Sequence, residues 1–396
     1  MLKDTRYVIL RSQEILVPTT DNLGVRRGAN TFALDPEQMQ IEATELTLSE
    51  RNDLRRDPRT MAIAPAFHLK LIAPVESQDV ASPAADSTWG IEAVGATSSP
   101  FDGSDITVAV LDTGIDPSHS AFAGVDLVQK NFTTESDNDL DGHGTHCAGT
   151  IFGKDIESTR IGVARNIRRA LIGKVLGTGG NSSLTIAKAI QWAVNEGAHV
   201  ISMSLGIDFP GYVRFLTTGQ GLAIEPATSI ALEGYRANIN LFTELSRFVQ
   251  AQGLFGQGTI IVAASGNESN RPSYEVSVAP PAAGTGVIAV GALQEGSSGF
   301  SVASFSNDQV NISAPGVNVI SAKVGGGLRS LSGTSMATPH VAGVAALWAQ
   351  RQLSTTGRVN HQVLMAQLIA SGTLDSLAPG YEIDNVGTGM VQAPQS

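Results

Sequence analysis

Five short runs of apolar residues, separated by helical stretches, constrain the fold of this chain more than any other feature. The runs lie at residues 106–111, 170–176, 199–205, 259–264 and 286–292. Residues 183–197 form one of the intervening helical stretches. Continuous apolar strands that alternate with helices indicate a mostly parallel sheet covered on both faces. The sequence therefore predicts an α/β fold with a three-layer, doubly wound sheet.

The first 80 residues follow a different pattern. Three short strands and a charged helix are predicted there, at 7–12, 60–64, 67–73 and 46–56 respectively. Residues 75–87 are rich in Ser, Pro, Ala and Asp and have no periodicity, which is typical of an exposed connector. We predict a small α+β unit at 1–80, a linker at 81–88 and a larger domain at 89–396.

Charge narrows the classes of partner. The net charge is −11, and no stripe of Lys and Arg stands out. Phosphate groups and anionic lipid surfaces need positive counter-charge, so we expect neither nucleic acid nor a membrane as a partner. Proteins and peptides remain as the expected partners.

The single cysteine, Cys147, cannot form a disulfide within the chain. The first apolar run, at residues 7–10, is shorter than the core of a signal peptide. The cysteine alone does not decide the compartment, whereas the short apolar run predicts a cytoplasmic protein, or a secreted one if a leader preceded this sequence.

Three short segments carry the residue types of nucleophilic catalysis: 110–116, 141–147 and 332–340. A serine hydroxyl is a weak nucleophile and needs a base to take its proton, while the base needs a carboxylate to fix its tautomer. Ser335, His143 and Asp112 supply these three groups. Asp112, Gly206 and Asn267 each follow an apolar strand directly. We therefore expect the catalytic motifs to share one edge of the sheet.

An oxyanion site is also predicted. Ser335 opens a helix that runs to about residue 350, and a helix N-terminus presents free amides to a developing negative charge. Asn267 follows the strand at 259–264 and can supply a side-chain amide as a second donor. These residue types predict hydrolysis through an acyl-enzyme on Ser335.

Four blocks, around Asp112, His143, Asn267 and Ser335, resemble the subtilisin-like serine proteases in order and spacing. The resemblance runs from about Trp89 to residue 390. It implies a subtilisin-like fold and a serine endopeptidase that needs no cofactor. The alternative from another class is a catalytically silent binding module on the same fold.

The resemblance also implies how a substrate binds. Two backbone segments would hold an extended peptide by strand addition: Gly180, Asn181 and Ser182 on one side, and Ser204, Leu205 and Gly206 on the other. Leu184 would cover an outer apolar pocket. The first specificity pocket would be lined by Gly266, Glu268 and Ala279. We expect a broad preference for an apolar or medium-sized residue before the scissile bond, with Lys or Arg as an alternative because of Glu268.

The N-terminal unit is similar to the prodomain of that family. The resemblance implies a ferredoxin-like prodomain that acts as a folding chaperone and as an intramolecular inhibitor. Its C-terminal tail would lie in the substrate groove until self-cleavage. We expect that cleavage within about residues 75–87, which makes the full chain a self-inhibited zymogen.

An insertion at 207–258 separates Gly206 from Asn267 and is longer than in compact members of the family. Its apolar residues recur at helical spacing, which predicts a long amphipathic helix. These residues are Tyr235, Ile239, Phe242, Leu245 and Val249. The insertion serves either packing or substrate selection.

Calcium as a structural ion is left open by the sequence. Ala121 and Asn311 stand where calcium-binding relatives often have aspartate. The loop with Asp137, Asp139 and Asp141 has alternating oxygen ligands that suit a cation, but it also suits a solvated turn.

Two further alternatives remain open. Cys147 lies one helical turn after His143 and is either a buried neighbour or a nucleophile in its own right. The biological role is either general degradation outside the cell or limited processing inside it.

Overall fold

The computed structural model describes residues 6–20, 26–80, 86–177 and 181–396. Its strands are β1 (Arg6–Thr20), β2 (Arg26–Glu45), β3 (Thr60–Pro65), β4 (His68–Leu71), β5 (Glu76–Val80), β6 (Thr107–Asp112), β7 (Asp126–Asn131), β8 (Arg169–Lys174), β9 (Asn181–Ser182), β10 (Val200–Met203), β11 (Leu205–Gly206), β12 (Ile260–Ala264), β13 (Val287–Gln294), β14 (Ser301–Val302), β15 (Ile312–Pro315), β16 (Val319–Ala322) and β17 (Leu328–Ser332). Its helices are α1 (Leu48–Arg56), α2 (Trp89–Ala93), α3 (His143–Phe152), α4 (Ser183–Asn195), α5 (Phe209–Arg214), α6 (Ile224–Phe255), α7 (Thr334–Thr356), α8 (His361–Ala370) and α9 (Ile383–Val386).

An eight-stranded sheet forms the centre of the larger domain. Its order is β14-β13-β12-β10-β6-β8-β7, and β15 pairs with another part of β13. Every neighbouring pair is parallel except β13 with β14. The five apolar runs of the sequence all supply strands of this sheet.

Helices cover both faces, and successive residues of β6 show why. Val108 and Val110 point into the core beneath α3 and α7, whereas Ala109 and Leu111 point into the core beneath α4 and α6. A strand that is buried on both sides needs apolar residues at every position rather than at alternate ones. The predicted three-layer α/β fold is confirmed.

The N-terminal unit differs in detail from the prediction. It is an antiparallel sheet of order β2-β1-β3. Along the chain, α1 lies between β2 and β3. A ferredoxin-like unit has a helix after its first strand. Here β1 and β2 instead form a long hairpin, which needs only a short connection because the two strands are antiparallel. The ferredoxin-like topology is therefore wrong for the described part of the unit.

This unit packs on α4 and α6 of the larger domain. Val8 and Leu10 share a buried core with residues of both helices. Polar contacts flank this core: Gln191 Nε2 donates to the carbonyl of Met39 at 2.7 Å, and Asn238 Nδ2 donates to that of Pro65 at 3.1 Å. The unit thus rests on the face of the sheet that α4 and α6 cover.

The insertion contains the predicted amphipathic helix, which is α6. Phe242, Leu245 and Val249 are buried, while Tyr235 and Ile239 are half-buried. The helix therefore packs along most of its length. None of the helices in the described ranges is both long and apolar enough to cross a lipid bilayer.

Candidate active site

The three residues predicted to carry catalysis lie at the ends of elements along one edge of the sheet. Asp112 is the last residue of β6, His143 is the first residue of α3, and Ser335 is the second residue of α7. Parallel strands bring their carboxyl ends together, and the helices that follow them begin there. The close packing of α3 on this edge requires Gly144, because a Cβ there would clash with the carbonyl oxygen of Gly114.

Asp112 and His143 are joined, and both are buried. The distance from His143 Nδ1 to Asp112 Oδ1 is 2.8 Å. Ser335 Oγ instead donates to the carbonyl of Ile72 at 2.8 Å. Among the described residues, His143 Nε2 has no hydrogen-bond partner. The nitrogen is therefore unengaged while a neighbouring chain segment holds the hydroxyl.

The carboxylate controls the proton affinity of His143. Burial lowers the pKa of His143, but the charge and hydrogen bond of Asp112 outweigh it, so this pKa is raised well above 6.5. Burial also raises the pKa of the Cys147 thiol, which keeps that group neutral near pH 7. Because the thiol stays neutral, we attribute the raised pKa of His143 mainly to Asp112, whose charge is the largest of the causes that raise it.

Asn267 is held with its amide facing the groove. Its Oδ1 accepts hydrogen bonds from Thr334 N at 2.9 Å and Thr334 Oγ1 at 2.8 Å. Its Nδ2 donates to the carbonyl of Ala73 at 3.0 Å. Two donors on the oxygen fix which end of the amide points outward. The sequence prediction named Asn267 but missed Thr334, which directly precedes Ser335.

Residues of the N-terminal segment run through the predicted substrate groove. Strand β4 lies between β9 and β11 and is antiparallel to both, with Lys70 and Leu71 opposite Gly206 and Leu205. Beyond it, β5 pairs with β17, and Val75 N donates to the carbonyl of Ser332 at 2.8 Å. Both sides of the groove around Ser335 are thus filled by the chain itself.

The two backbone segments predicted to hold a substrate take part in this pairing only in part. Asn181 and Ser182 form β9, whereas Gly180 lies outside the described residues. Leu205 and Gly206 form β11. Ser204 precedes β11, is buried, and donates through Oγ to the carbonyl of Ser335 at 3.1 Å.

The residues predicted for the first specificity pocket lie close together. Glu268 and Ala279 line one cavity of about 220 Å³. Gly266 lies beside it with φ +121°, and a Cβ there would clash with Asn307 and Glu268. Leu184 is half-buried in α4 against the core shared with the N-terminal unit.

Asp139 supports the site, although sequence reasoning considered it only as a cation ligand or as part of a solvated turn. Its carboxylate is buried and accepts from Thr113 Oγ1 at 2.9 Å, Gly142 N at 2.8 Å and Thr145 N at 2.9 Å. It therefore joins the end of β6 to the first turn of α3. An acidic residue just before a helix is a known sequence signal for such capping.

We expect Asp139→Asn to weaken both the fold and the activity. The amide keeps the shape of the carboxylate but turns an NH₂ toward backbone donors, so buried hydrogen bonds are lost. The free energy of unfolding should fall by about 1–3 kcal/mol, measured by denaturant melts on a Ser335→Ala background. Asp141→Asn, at an exposed position two residues away, is the matched control. Equal stability of the two variants would contradict the capping role.

The acidic loop does not fit the calcium site that the sequence left open. The carboxylate of Asp139 is used by the protein's own donors, as described above. The ammonium of Lys174 donates to the carbonyls of Ser136 at 2.8 Å and Asn138 at 2.7 Å. A lysine thus takes the place a cation would occupy at these oxygens. Asn311, the other polar position considered, accepts from Ala289 N at 2.8 Å and supports the sheet.

Cys147 is a buried neighbour of the site. Its Sγ lies 3.7 Å from His143 Nδ1 and 3.4 Å from the carbonyl oxygen of Ser335. With Asp112 and His143 it forms the one three-residue group of metal-binding type found among the described residues. Because Nδ1 is already bonded to Asp112 and the thiol is neutral, the geometry does not favour Cys147 as a nucleophile.

Comparisons with known proteins identify the family of the chain. Residues 103–388 match the subtilase family. The chain is 34% identical over 333 residues to the "Thermostable alkaline protease" of Halalkalibacterium halodurans, which covers 83% of this chain and 76% of that protein. It is 36% identical over 272 residues to "Subtilisin Savinase" of Lederbergia lenta; this match covers 67% of this chain and 85% of that protein.

These similarities define the class as serine-type endopeptidases. The chain belongs to the subtilase family.

Proposed function

We propose that Ser335 is the nucleophile, His143 the general base and then general acid, and Asp112 the group that orients His143. The buried 2.8 Å contact between Asp112 and His143 is the observation that carries this proposal. Since Asp112 accepts from Nδ1, the neutral ring carries its proton there and leaves Nε2 free to accept one. Ser335 Oγ attacks the substrate carbonyl as its proton passes to Nε2, and His143 later returns a proton to the leaving amine.

Asn267 stabilises the negative charge that develops on the substrate oxygen. Its amide is fixed by Thr334 and already donates to a backbone carbonyl in the groove. A donor that is oriented before the reaction has little reorganisation cost when the charge forms. The reaction needs no cofactor.

The N-terminal unit and its tail act as an intramolecular inhibitor. Support comes from β4 and β5, which fill the groove on both sides of Ser335, and from the carbonyl of Ile72, which holds the Ser335 hydroxyl. A protein or peptide substrate would pair with β9, β11 and β17, which β4 and β5 now occupy. It therefore competes directly with this tail. The full chain is therefore a zymogen with residues 1–80 as prodomain, 81–88 as linker and 89–396 as catalytic domain.

Substrates are proteins or peptides with an apolar or medium-sized residue before the scissile bond. The cavity beside Glu268 and Ala279 supports this preference, because its lining is mostly apolar. The cytoplasmic location predicted from the sequence finds no support in the comparisons, which allow a secreted enzyme.

A fluorophosphonate probe tests the assignment of the nucleophile. It forms a covalent bond with an activated serine, so trimmed wild-type protein should be labelled at Ser335 in peptide maps. Cys147→Ala should still be labelled and Ser335→Ala should not. Trimmed wild-type protein that stays unlabelled, or a label that persists in Ser335→Ala, would overturn the proposal. The first result would instead favour a silent binding module.

The raised pKa of His143 predicts that kcat/KM reaches its midpoint at a higher pH than an ordinary histidine would give. The base must be neutral to accept a proton, so kcat/KM falls as the pH drops through the pKa of His143. A pKa above 6.5 places that fall above pH 6.5. Asp112→Asn removes the negative charge that raises the pKa of His143. The midpoint of the fall in its residual activity should therefore move to a lower pH than in wild type. A pH profile of kcat/KM for trimmed protein on a short peptide measures both, and a wild-type midpoint at or below 6.5 would contradict the prediction.

A further inference from the structure

The insertion reaches the candidate active site. One cavity of about 220 Å³ combines residues from the insertion with residues that follow Asn267. Ile207, Phe209, Pro210, Leu232 and Tyr235 come from the insertion, and Glu268, Val276, Ser277, Ala279 and Asn307 come from the catalytic core. The wall that the insertion supplies is apolar and aromatic.

The aromatic part of this wall is rigid. The rings of Phe209 and Tyr235 pack edge to face with centroids 5.4 Å apart. Helix α5, which carries Phe209, is capped by Asp208, whose carboxylate accepts from Gly211 N at 2.9 Å. Both contacts fix the position of Phe209 at the cavity.

Three polar side chains that line the cavity, those of Tyr235, Glu268 and Asn307, are bonded within the protein. Tyr235 OH donates to the carbonyl of Val278 at 2.6 Å, so the ring offers its carbon face. Glu268 Oε2 accepts from Asn307 Nδ2 at 2.9 Å. A cavity whose polar groups are paired with the protein favours an apolar occupant. The carboxylate of Glu268 also disfavours an acidic one.

The position of the cavity connects it to cleavage. Glu268 directly follows Asn267, whose amide holds the carbonyl of Ala73, and Ile207 directly follows Gly206, which pairs with Lys70. Glu268 and Ile207 thus each adjoin a residue that contacts the chain segment in the groove.

We infer that the insertion forms the outer wall of the pocket for the residue before the scissile bond and selects a large apolar side chain such as Phe or Leu. This inference rests on the proposed function. Among the described residues, none of the N-terminal unit or its tail lines the cavity, so the self-inhibiting segment leaves it open to a substrate side chain.

Filling the cavity tests this inference. Leu232 is 48% exposed on α6, so Leu232→Trp places a larger ring at the rim without disturbing the core. For trimmed enzyme, kcat/KM on a peptide with Phe before the scissile bond should fall about tenfold or more. Hydrolysis of the matching Ala peptide should change less than about twofold. Phe209→Ala removes the wall and should also lower the ratio of Phe to Ala peptide hydrolysis.

Thr228→Trp is the matched control, because Thr228 is exposed one turn earlier on α6 and does not line the cavity. Its Phe to Ala ratio should equal that of wild type. Fluorophosphonate titration gives the concentration of active sites in each variant. Active, labelled variants with unchanged ratios would overturn the role of the insertion alone. Wild-type protein without label or activity would instead overturn the proposed function.

Discussion

Ser335→Ala should abolish self-trimming and reduce peptide hydrolysis by about six orders of magnitude in kcat, the size of loss known for removal of the nucleophile in the related enzyme subtilisin. Without the hydroxyl no acyl-enzyme forms, and the oxyanion donors alone give weak catalysis. Intact mass spectrometry should show all 396 residues in the variant. Wild-type protein should show a loss of N-terminal mass.

A second measurement separates chemistry from folding in this experiment. A trace of trimmed wild-type enzyme should cut the linker of Ser335→Ala and convert it to the trimmed form. That form should keep the thermal transition of the wild-type domain and still fail to hydrolyse peptides. Asn267→Ala should give an intermediate loss of about 10²–10³ in kcat, because one oxyanion donor remains. Self-trimming by Ser335→Ala at the wild-type rate would end the proposal for this nucleophile.

The sheet was predictable because strands buried on both faces leave an unbroken apolar signal in the sequence. The predicted ends of β6 and β12 differ from the observed ends by no more than one residue. Asp112 ends β6 and Asn267 lies shortly after β12, so the shared edge of the sheet followed from the strand pattern. The helix of the insertion was predictable for a similar reason, since Phe242, Leu245 and Val249 recur on one buried face.

Features that depend on tertiary hydrogen bonds were not predictable in this way. Alternating aspartates suggested a cation loop, but the ammonium of Lys174, distant in sequence, lies at the loop carbonyls. Asp139 gave the same local signal as its exposed neighbour Asp141, although it is buried and caps α3. Local patterns give residue types and periods, while these partners are brought together only by the fold.

The N-terminal segment shows a similar limit. The sequence predicted a tail in the groove and cleavage within residues 75–87. In the structure Asn267 contacts the carbonyl of Ala73, and Val75 N meets Ser332, so the bond next to the oxyanion donor is the one between Ala73 and Pro74. Composition predicted an exposed connector at 75–87, whereas Glu76–Val80 form strand β5 and pair with β17. It did not indicate that the carbonyl of Ala73 contacts Asn267 or that the carbonyl of Ile72 contacts Ser335.

Pro74→Ala should convert that bond from a resistant one into a site of rapid self-cleavage. Proline has no N–H, and its ring carbon takes the position of the amide hydrogen, beside the nitrogen that His143 must protonate for the amine to leave. The ring also fixes φ near −65°, which limits how the chain adjusts to Ser335. In wild-type protein we therefore expect the Ala73–Pro74 bond to stay intact and trimming to occur within 75–87, by a second enzyme molecule.

For Pro74→Ala, relief of this misplacement should speed cleavage after Ala73 by about 100-fold, with products of residues 1–73 and 74–396 resolved by mass. Cleavage within one molecule has a rate independent of protein concentration, whereas trimming of wild type by a second molecule should quicken as the concentration rises. The double variant Pro74→Ala with Ser335→Ala is the control and should stay intact. If wild-type protein is cut between Ala73 and Pro74, or if Pro74→Ala is as resistant there as wild type, proline does not protect the segment and the inhibition must depend on how tightly β4 and β5 pair in the groove.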